Sequence, residues 1–239
     1  MTEPKTEPCL SIVMPCFNEK ATILEIISSV LDSPYAGELI IVDDGSTDNT
    51  RDLLATITDQ RVQVILQPKN QGKGAALRTG FAAAVYPFVV VQDADLEYDP
   101  GEYSLLLEPL LANQADVVYG SRFMSNRPHR VIFYWHSVGN KFLTTASNMM
   151  TNLNLSDMET CYKMFRLEVL KSFRFSEERF GIEPEITARV AAGKWRVYEV
   201  GISYHGRSYD EGKKIGWKDG LSALRCILKY AVIARRDAK

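Results

Sequence analysis

The amino-acid sequence predicts an α/β fold with a mostly parallel central sheet and helices on both of its faces. Four short runs in the first half of the chain are almost entirely apolar, which is typical of strands buried on both faces. Each of the first three runs is followed by a loop and a helical segment, as in β–α–β units with right-handed crossovers. The four runs cover residues 10–14, 39–42, 62–66 and 88–91.

The bulk composition is that of an ordinary globular chain. Of its 239 residues, 46% are hydrophobic and 24% are charged, and we expect a single domain over residues 1–239. A formal net charge of -2 gives no reason to expect nucleic acid as a partner. The four cysteines lack the spacing of a zinc site, so reduced thiols and a cytoplasmic location are expected. Residues 1–9 form a loose polar start without the apolar core of a signal peptide.

The first three strands each lead into a polar loop. The first strand is expected to stop at Pro15, and Ser46 or Thr47 is expected to cap the helix that follows the second. The third strand leads to the sequence GKG at 72–74, which matches neither a dinucleotide-binding GxGxxG pattern nor a Walker loop. Its glycines are expected to let the backbone approach a ligand, with Lys73 offering a cation.

The fourth strand ends in three closely spaced carboxylates, Asp93, Asp95 and Glu97. Asp93 and Asp95 are two residues apart, so an extended chain points both the same way. Clustered carboxylates repel one another unless a cation offsets their charge, and hard oxygen ligands suit Mg²⁺ or Mn²⁺. The pattern predicts a metal–diphosphate site, although a solvated acidic loop after a core strand would have the same local sequence.

Polar residues from four separate loops are expected at one edge of the sheet. In an open α/β sheet, ligands bind beyond the carboxyl ends of the strands. The residues placed there are Asn18 and Glu19, Asp43 and Asp44, Lys73, and Asp93 with Asp95. One site assembled from four loops favours a ligand site over a solvated loop.

The second half of the sequence is less regular. The expected elements are a strand at 116–122, a helix at 138–151, a short strand after the polar loop 156–163, a helix from about residue 183 and a strand at 196–202. Residues 217–236 form a basic amphipathic helix. Such a helix either lies on an anionic membrane surface or packs its apolar side on the rest of the protein.

Four ordered motifs resemble the signatures of family 2 glycosyltransferases, which have the GT-A (Rossmann-like) fold. They are IVMPCFNE at 12–19, VDDGSTD at 42–48, NQGKG at 70–74 and DAD at 93–95. The order and spacing of these motifs make the resemblance specific over residues 10–125. A looser resemblance to the polyprenyl-phosphate hexose synthases, such as the dolichyl-phosphate mannose synthases, comes from GSR at 120–122, ETCYK at 159–163 and the segment 207–215.

The resemblance implies a role for each matching residue. The nucleotide-sugar site would be lined by Pro15, Phe17, Glu19, Val42, Asp44, Lys73, Asp93, Ala94 and Asp95. The divalent metal, Mg²⁺ or Mn²⁺, would be held by Asp95 and Glu97 with Asp93 beside them. The acceptor phosphate would be gripped by Arg122, Lys163 and Arg207. Phe17 stands where relatives often have tyrosine, so stacking on the base is kept and a hydroxyl contact is lost.

The reaction implied is inverting transfer of a hexose from GDP-mannose or a UDP-hexose to a polyprenyl phosphate. Asp95, Arg122 and Arg207 would be the catalytic residues, at the cytoplasmic face of a membrane. A phosphate monoester is mostly dianionic at pH 7, so it needs positioning by arginine more than deprotonation. If the acceptor is a hydroxyl instead, Asp157 or Glu159 is the candidate base.

Two other functions stay open on the sequence alone. One is a family 2 enzyme that extends a glycan hydroxyl in cell-surface polysaccharide synthesis. The other is a non-catalytic nucleotide-sugar-binding module, against which the complete acidic set after the fourth strand argues. The motifs do not choose between donors and give no oligomeric state.

Overall fold

The strands of the described chain belong to one central sheet. The computed structural model describes residues 7–124, 130–131, 133–207 and 217–237. Its strands are β1 (Leu10–Cys16), β2 (Ala36–Asp43), β3 (Val62–Leu66), β4 (Phe88–Val91), β5 (Val117–Ser121), β6 (Lys163–Arg166) and β7 (Val197–Gly201). Their order across the sheet is β3-β2-β1-β4-β6-β5-β7.

The sheet is mostly parallel, which confirms the predicted fold class. Neighbouring strands run parallel except where β6 lies between β4 and β5, antiparallel to both. The first four strands are joined by crossover helices, which keep successive strands parallel. The chain reaches β6 through the polar loop after a helix, and its hydrogen bonds join the two halves of the sheet.

Helices cover both faces of this sheet. They are α1 (Ile23–Leu31), α2 (Thr50–Leu54), α3 (Lys73–Ala83), α4 (Tyr103–Leu111), α5 (Tyr134–Thr151), α6 (Leu167–Lys171), α7 (Ile182–Ala192) and α8 (Trp217–Asp237). Side chains from α1, α2 and α4 share a buried cluster with Ile12 and Met14 of β1. Val13 faces the opposite cluster, with α3, α6 and α7. Strand alternation therefore feeds two separate apolar layers.

The first strand is longer than predicted. β1 continues through Pro15 to Cys16, and both residues pair with β2. The Gln92 N–H donates to the Val13 carbonyl from the β4 side. The backbone of Pro15 faces that same side two residues further on, where β4 has already ended at Val91. Pro15 therefore interrupts no ladder hydrogen bond, and the expectation that it ends the strand is wrong.

The helix after β2 also differs from the prediction. α2 is short and is preceded by Asn49, which has a φ of 70°. Ser46 and Thr47 bind the loop after β1 instead of capping this helix. The Asn18 N–H donates to Ser46 Oγ (2.9 Å), and the Thr47 N–H donates to Asn18 Oδ1 (2.8 Å). These hydrogen bonds tie the first two polar loops together.

The C-terminal helix packs on the protein. α8 lies against α7 and α5, and Cys226, Ile227 and Tyr230 are buried in that contact. Part of its apolar side is therefore covered, as the second of the two interpretations expects, whereas Leu221, Leu228 and Val232 of the same helix are exposed. Among the helices in the described residues, none is long and apolar enough to cross a bilayer.

Candidate active site

The polar loops after β1, β2 and β4 meet at one edge of the sheet. Cys16 at the end of β1 lies opposite Asp43 at the end of β2, and β4 ends opposite Val13. Thr22 Oγ1 donates to the carbonyl of Ala94 (2.9 Å), so the loop after β1 also holds the loop after β4. Ala94 itself is buried. The loops that the sequence predicts at one edge are thus joined there by hydrogen bonds.

Asp44 holds the loop that precedes α3. Its Oδ1 accepts from the Gln71 N–H and its Oδ2 from the Gly72 N–H, both at 2.7 Å. The structure therefore gives Asp44 a role in positioning the loop of Lys73. Val42 is fully buried in the apolar layer on the α3 side of the sheet, so its side chain supports the loop from below.

Pro15, Phe17 and Glu19 are half-buried where the chain leaves β1. The Glu19 N–H donates to Thr50 Oγ1 (3.1 Å), which fixes this stretch against α2. The Glu19 carboxylate faces Arg207, with 3.4 Å between Oε2 and Nη1. These residues place an aromatic ring and a carboxylate acceptor together, and such groups suit recognition of a nucleobase.

Lys73 opens α3 and is held among acidic groups. Its Nζ lies 2.8 Å from Asp93 Oδ1 and 3.5 Å from Glu183 Oε1. Cys161 Sγ lies 2.7 Å from the same nitrogen. Burial opposes the charge on this ammonium, but Asp93 and Glu183 hold the pKa of Lys73 well above its usual value. Lys73 is therefore charged at neutral pH and connects the end of β4 to α7.

Arg207 bridges three carboxylates that come from two loops. Its Nη2 lies 2.5 Å from Asp95 Oδ2, and its Nε lies 3.2 Å from Glu97 Oε1. Glu19 is the third partner, from the loop after β1. We call Arg207, Glu19, Asp95 and Glu97 the Arg207 cluster. Among the described residues, one guanidinium faces three acids, so carboxylates outnumber cations in this part of the cluster.

The nearby negative charges affect the pKa of Asp95. Burial, together with the charges of Asp93 and Glu97, raises the pKa of Asp95 to about 7 against the opposing pull of Arg207. A cation bound beside Asp95 would offset this repulsion. Carboxylate oxygens are the hard ligands that Mg²⁺ and Mn²⁺ prefer. The donor chemistry at Asp95 therefore fits the predicted metal.

The geometry limits how many protein ligands that metal has. Within the described ranges, no three His, Cys, Asp or Glu side chains are grouped closely enough to hold a metal ion. Asp93 pairs with Lys73, and Glu97 Oε2 accepts from the Tyr204 hydroxyl (2.8 Å). Mg²⁺ commonly uses one or two carboxylates and completes its shell with substrate phosphates and water. Asp95 is the best-placed ligand, with Asp93 and Glu97 beside it.

Arg122 is held by a single carboxylate in a bidentate pair. Its Nε lies 2.6 Å from Asp157 Oδ2 and its Nη2 lies 2.7 Å from Asp157 Oδ1. Asn140 of α5 accepts from Nη2 and donates to Asp157, both at 3.2 Å. We call these three residues the Arg122 cluster. Asp157 is fully buried, and although burial opposes ionisation, Arg122 holds the pKa of Asp157 below its usual range. Asp157 is therefore ionised and paired with Arg122, which does not favour it as the general base for a hydroxyl acceptor.

Tyr204 connects the two arginine clusters. Its hydroxyl donates to Glu97, and its ring lies 5.2 Å from Cζ of Arg122. Tyr98 packs beside it at 5.3 Å between ring centroids and stacks on Tyr162 at 5.2 Å. Sequence reasoning did not single out these tyrosines. The sequence does place tyrosines next to the acidic loop and the ETCYK segment. These could have indicated the site, because a purely apolar core needs no hydroxyl groups.

Thr160, Tyr162 and Lys163 of the 159–163 segment are buried, and Glu159 is half-buried. Lys163 is only 1% exposed, its ammonium donates to the Thr160 carbonyl, and burial lowers its pKa. The structure therefore does not bring Lys163 to the phosphate groups that Arg122 and Arg207 were expected to share with it. Burial, with Glu183 nearby, raises the pKa of Glu159 to about 8. Glu159 Oε1 is buried without a hydrogen-bond partner among the described residues.

The glycines of the NQGKG motif make room for the chain itself. A Cβ on Gly74 would come within 3.0 Å of the Glu177 carbonyl oxygen, and one on Gly72 would crowd the Glu178 carbonyl. The Ala75 N–H donates to that Glu178 carbonyl (3.0 Å). The loop before α7 therefore rests on the start of α3, and this backbone contact leaves no room for a Cβ at either glycine.

Comparisons with known proteins identify relatives of this chain. Residues 11–174 match the family model described as Glycosyl transferase family 2. Glycosyltransferase AglJ of Haloferax volcanii is 30% identical over 203 residues, which are 84% of this chain and 65% of AglJ. The chain thus spans less than two thirds of the length of that relative. Polyprenol monophosphomannose synthase of Mycolicibacterium smegmatis is 28% identical over 214 residues, covering 86% of this chain and 80% of that protein.

A solved structure shows the same fold. Glucosyl-3-phosphoglycerate synthase of Mycobacterium tuberculosis, crystallised with Mn²⁺ and UDP-glucose, matches with a TM-score of 0.72 and 20% identity. The match covers 96% of this chain and 79% of that one. Another crystal structure of the same enzyme contains Mg²⁺ and UDP. The fold is the GT-A fold that the motifs predict, and the chain belongs to glycosyl transferase family 2.

Proposed function

We propose that the protein transfers a hexose from a nucleotide-diphosphate sugar to a polyprenyl phosphate. The observation that carries the proposal is the Arg207 cluster, where Asp95 and Glu97 lie against Arg207 at the ligand-binding edge of the sheet and carboxylates outnumber cations among the described residues. Such a surplus of acid suits a metal-bound diphosphate, and an arginine beside it suits a second phosphate. The similarity to polyprenol monophosphomannose synthase supports a lipid-phosphate acceptor.

The donor would bind on the β1–β4 side of the site. Phe17 offers a ring for the base, and Lys73 and Asp93 lie together at the end of β4. Mg²⁺ or Mn²⁺, held by Asp95 with Asp93 and Glu97 beside it, would offset the charge that develops on the leaving nucleotide. The Mn²⁺ and UDP-glucose in the structural neighbour support a nucleotide-sugar donor of this kind. GDP-mannose and UDP-hexoses are both candidates.

The acceptor phosphate would lie between Arg122 and Arg207, which Tyr204 connects. Guanidinium groups present forked donors that match phosphate oxygens. Arg207 has three carboxylate partners and is the better suited of the two to exchange one of them for phosphate. Lys163 is buried under Tyr119, so we keep it out of the acceptor site.

The bond changes balance without a protein base. An oxygen of the acceptor phosphate attacks the anomeric carbon while the bond from that carbon to the diphosphate breaks. The nucleoside diphosphate leaves, and the anomeric configuration is inverted. The attacking phosphate is already deprotonated near pH 7, since its second pKa is about 6. We place this reaction at the cytoplasmic face of a membrane, where a nucleotide sugar and a lipid phosphate meet.

The experiment is a release assay with a panel of GDP- and UDP-sugars, with and without undecaprenyl phosphate. We expect one nucleoside diphosphate to be released only when both the lipid and a divalent cation are present. Asp95→Asn should abolish this release, whereas Asp52→Asn, at an exposed position of α2, should not. Nucleotide binding without lipid-dependent release from any donor would overturn the proposed acceptor.

One observation favours a second candidate, an enzyme that extends a glycan hydroxyl. A hydroxyl acceptor needs a base whose pKa is near the working pH. Glu159, with a pKa raised to about 8, meets that requirement better than Asp157, which is bound to Arg122. On this alternative, Glu159→Gln abolishes transfer to a glycan acceptor. On the lipid-phosphate proposal, Glu159→Gln retains transfer, because the phosphate needs no base.

A further inference from the structure

Helix α5 exposes a stripe of large apolar side chains. Trp135, Val138, Phe142 and Met149 recur at helical spacing and are all exposed, Trp135 by 76% and Phe142 by 60%. A surface helix normally buries such a stripe. Here the large apolar side chains form the outer surface of the helix.

The inner side of α5 carries polar residues that hold a loop, beside Leu143, Ala146 and Met150, which pack on the core. Thr144 Oγ1 accepts from the Met158 N–H (3.2 Å), and Asn148 exchanges two hydrogen bonds with the backbone of Leu155 (2.8 and 3.1 Å). Asn140 reaches the Arg122 cluster from the same helix. These contacts explain why the buried side needs polar residues. They give no reason for the exposed side to be apolar, so that side points to an external partner.

The apolar surface extends beyond α5. Leu221, Leu228 and Val232 are exposed on α8, which packs against α5. Further exposed apolar side chains lead into α5 from the chain before it, at Phe123, Met124, Val131, Phe133 and Tyr134. We call this set, with the stripe on α5, the α5–α8 face. An exposed apolar surface of this extent marks an interaction site.

The charged side chains that the structure describes on this face are all basic. Lys141 of α5 and Arg225 and Lys229 of α8 are exposed, and Lys229 also lies 3.5 Å from Glu177. Residues 134–151 and 220–233 contain no Asp or Glu, although the chain as a whole has a formal net charge of -2. Aromatic and aliphatic side chains flanked by lysine and arginine suit an anionic lipid surface. A second copy of the chain would bring these like charges together.

We propose that the α5–α8 face docks the enzyme on an anionic lipid bilayer. The apolar stripe of α5 enters the headgroup region, and Lys141 and Arg225 contact acidic headgroups. Asn140 connects the same helix to Arg122, so the acceptor groups lie directly behind the docked surface. The role of this arrangement in delivering a lipid phosphate rests on the proposed function, whereas the docking itself does not.

The test is sedimentation of the full chain with vesicles of phosphatidylcholine alone or of an equal mixture with phosphatidylglycerol. We expect binding to the mixed vesicles and at least a tenfold weaker affinity for Trp135→Gln/Phe142→Gln, because both side chains lose their burial in lipid. Leu111→Gln is the matched control, since Leu111 of α4 is 59% exposed, close to Phe142. Lys141→Gln and Arg225→Gln should each weaken binding about fivefold, and Lys171→Gln should not.

The vesicle assay contains neither nucleotide sugar nor acceptor, so a failed reaction leaves its result unchanged. A second measurement uses brominated lipids, which should quench tryptophan fluorescence of the wild type and much less that of Trp135→Phe. No binding to mixed vesicles, or equal binding by Trp135→Gln/Phe142→Gln and Leu111→Gln, would overturn the proposal. If the chain instead forms dimers with increasing concentration, and the same substitutions dissociate them, the face binds a second copy of the chain and the proposal is overturned.

Discussion

The two arginine clusters hold their guanidinium groups in opposite ways. Arg122 shares one fully buried carboxylate, Asp157, in a bidentate pair whose charges balance. Arg207 is shared among three carboxylates whose nearest oxygens lie at 2.5 to 3.4 Å, so the acids outnumber the cation among the residues that the structure describes. Tyr204 touches both clusters, so they belong to one site.

The difference separates a fixed group from an exchangeable one. A balanced buried pair resists change, because removing either member leaves an unpaired charge in the interior. A cluster with surplus acid gains when a divalent cation arrives, and its arginine can then turn to another anion. We therefore assign Arg122 mainly to positioning and Arg207 mainly to the reaction. The predictions below test this assignment.

The largest expected effect is on stability, at the Arg122 cluster. Arg122→Ala leaves Asp157 buried without its partner, which should cost about 3–5 kcal/mol of unfolding free energy. For a chain of this size, each kcal/mol lowers Tm by about 2–4 °C. Arg122→Met/Asp157→Leu removes both charges and should recover much of the loss. Thermal unfolding of the single and double variants measures this, and a double variant less stable than Arg122→Ala would contradict a balanced pair.

The next effect is on activity, at the Arg207 cluster. Arg207→Ala should lower kcat for hexosyl transfer by about 10²–10³-fold, since it removes a donor aimed at developing charge. Arg207→Lys should recover part of this activity, because it keeps the charge but loses the forked geometry. Arg61→Ala is the control, since Arg61 pairs with Asp59 on the exposed surface. Full activity in Arg207→Ala would remove Arg207 from the reaction.

A smaller effect is expected where the loop before α7 rests on α3. Gly74→Ala forces a Cβ against the Glu177 carbonyl, and such overpacking typically costs about 1–3 kcal/mol. It should also displace Lys73 and weaken nucleotide binding. Gly139→Ala is the matched control, because a Cβ there meets nothing within 4 Å and alanine favours a helix. Calorimetry of nucleotide binding and the Tm of both variants test this. Equal Tm values for Gly74→Ala and Gly139→Ala would contradict the close approach of Gly74 to the Glu177 carbonyl.

The last effect is a pH dependence at Glu159. Its pKa is about 8 in the folded protein, above the ordinary carboxyl value of about 4.3 in the unfolded chain. Between these values the unfolded chain loses a proton that the folded chain keeps, so stability falls as pH rises through this window. Glu159→Gln removes that dependence. The Tm of the variant minus that of the wild type should therefore increase between pH 5 and pH 8, and a constant difference would contradict the raised pKa.

The first half of the fold could be predicted because its information is local. The strands of the βαβ units are almost entirely apolar, and each drops its polar residues at the same end, so topology alone brings Asp44, Lys73 and Asp93 together. The prediction that Pro15 ends β1 was wrong, because Pro15 disrupts the sheet only if β4 still runs beside it. Where β4 ends is a property of the neighbouring strand. α4 was missed, since the Asp99 cap and the turn at Pro100–Glu102 that introduce it are polar and short.

The second half could not be predicted in the same way, because its contacts span long sequence separations. Arg122 meets Asp157, and Arg207 meets Glu19 and Asp95, through pairings that no local pattern encodes. The resemblance placed Lys163 at the acceptor phosphate, but β6 carries its side chain into the interior. The apolar stripe of α5 reads as an ordinary core face until the structure shows it to be exposed.

The most direct test of the central claim is the mass of the lipid product after incubation with the donor that supports nucleotide release. The account predicts undecaprenyl phosphate carrying one added hexose, formed by the wild type and by Asp52→Asn but not by Asp95→Asn or Arg207→Ala. A released nucleotide accompanied only by free hexose, or by hexose on a glycan with the lipid phosphate unchanged, would contradict it.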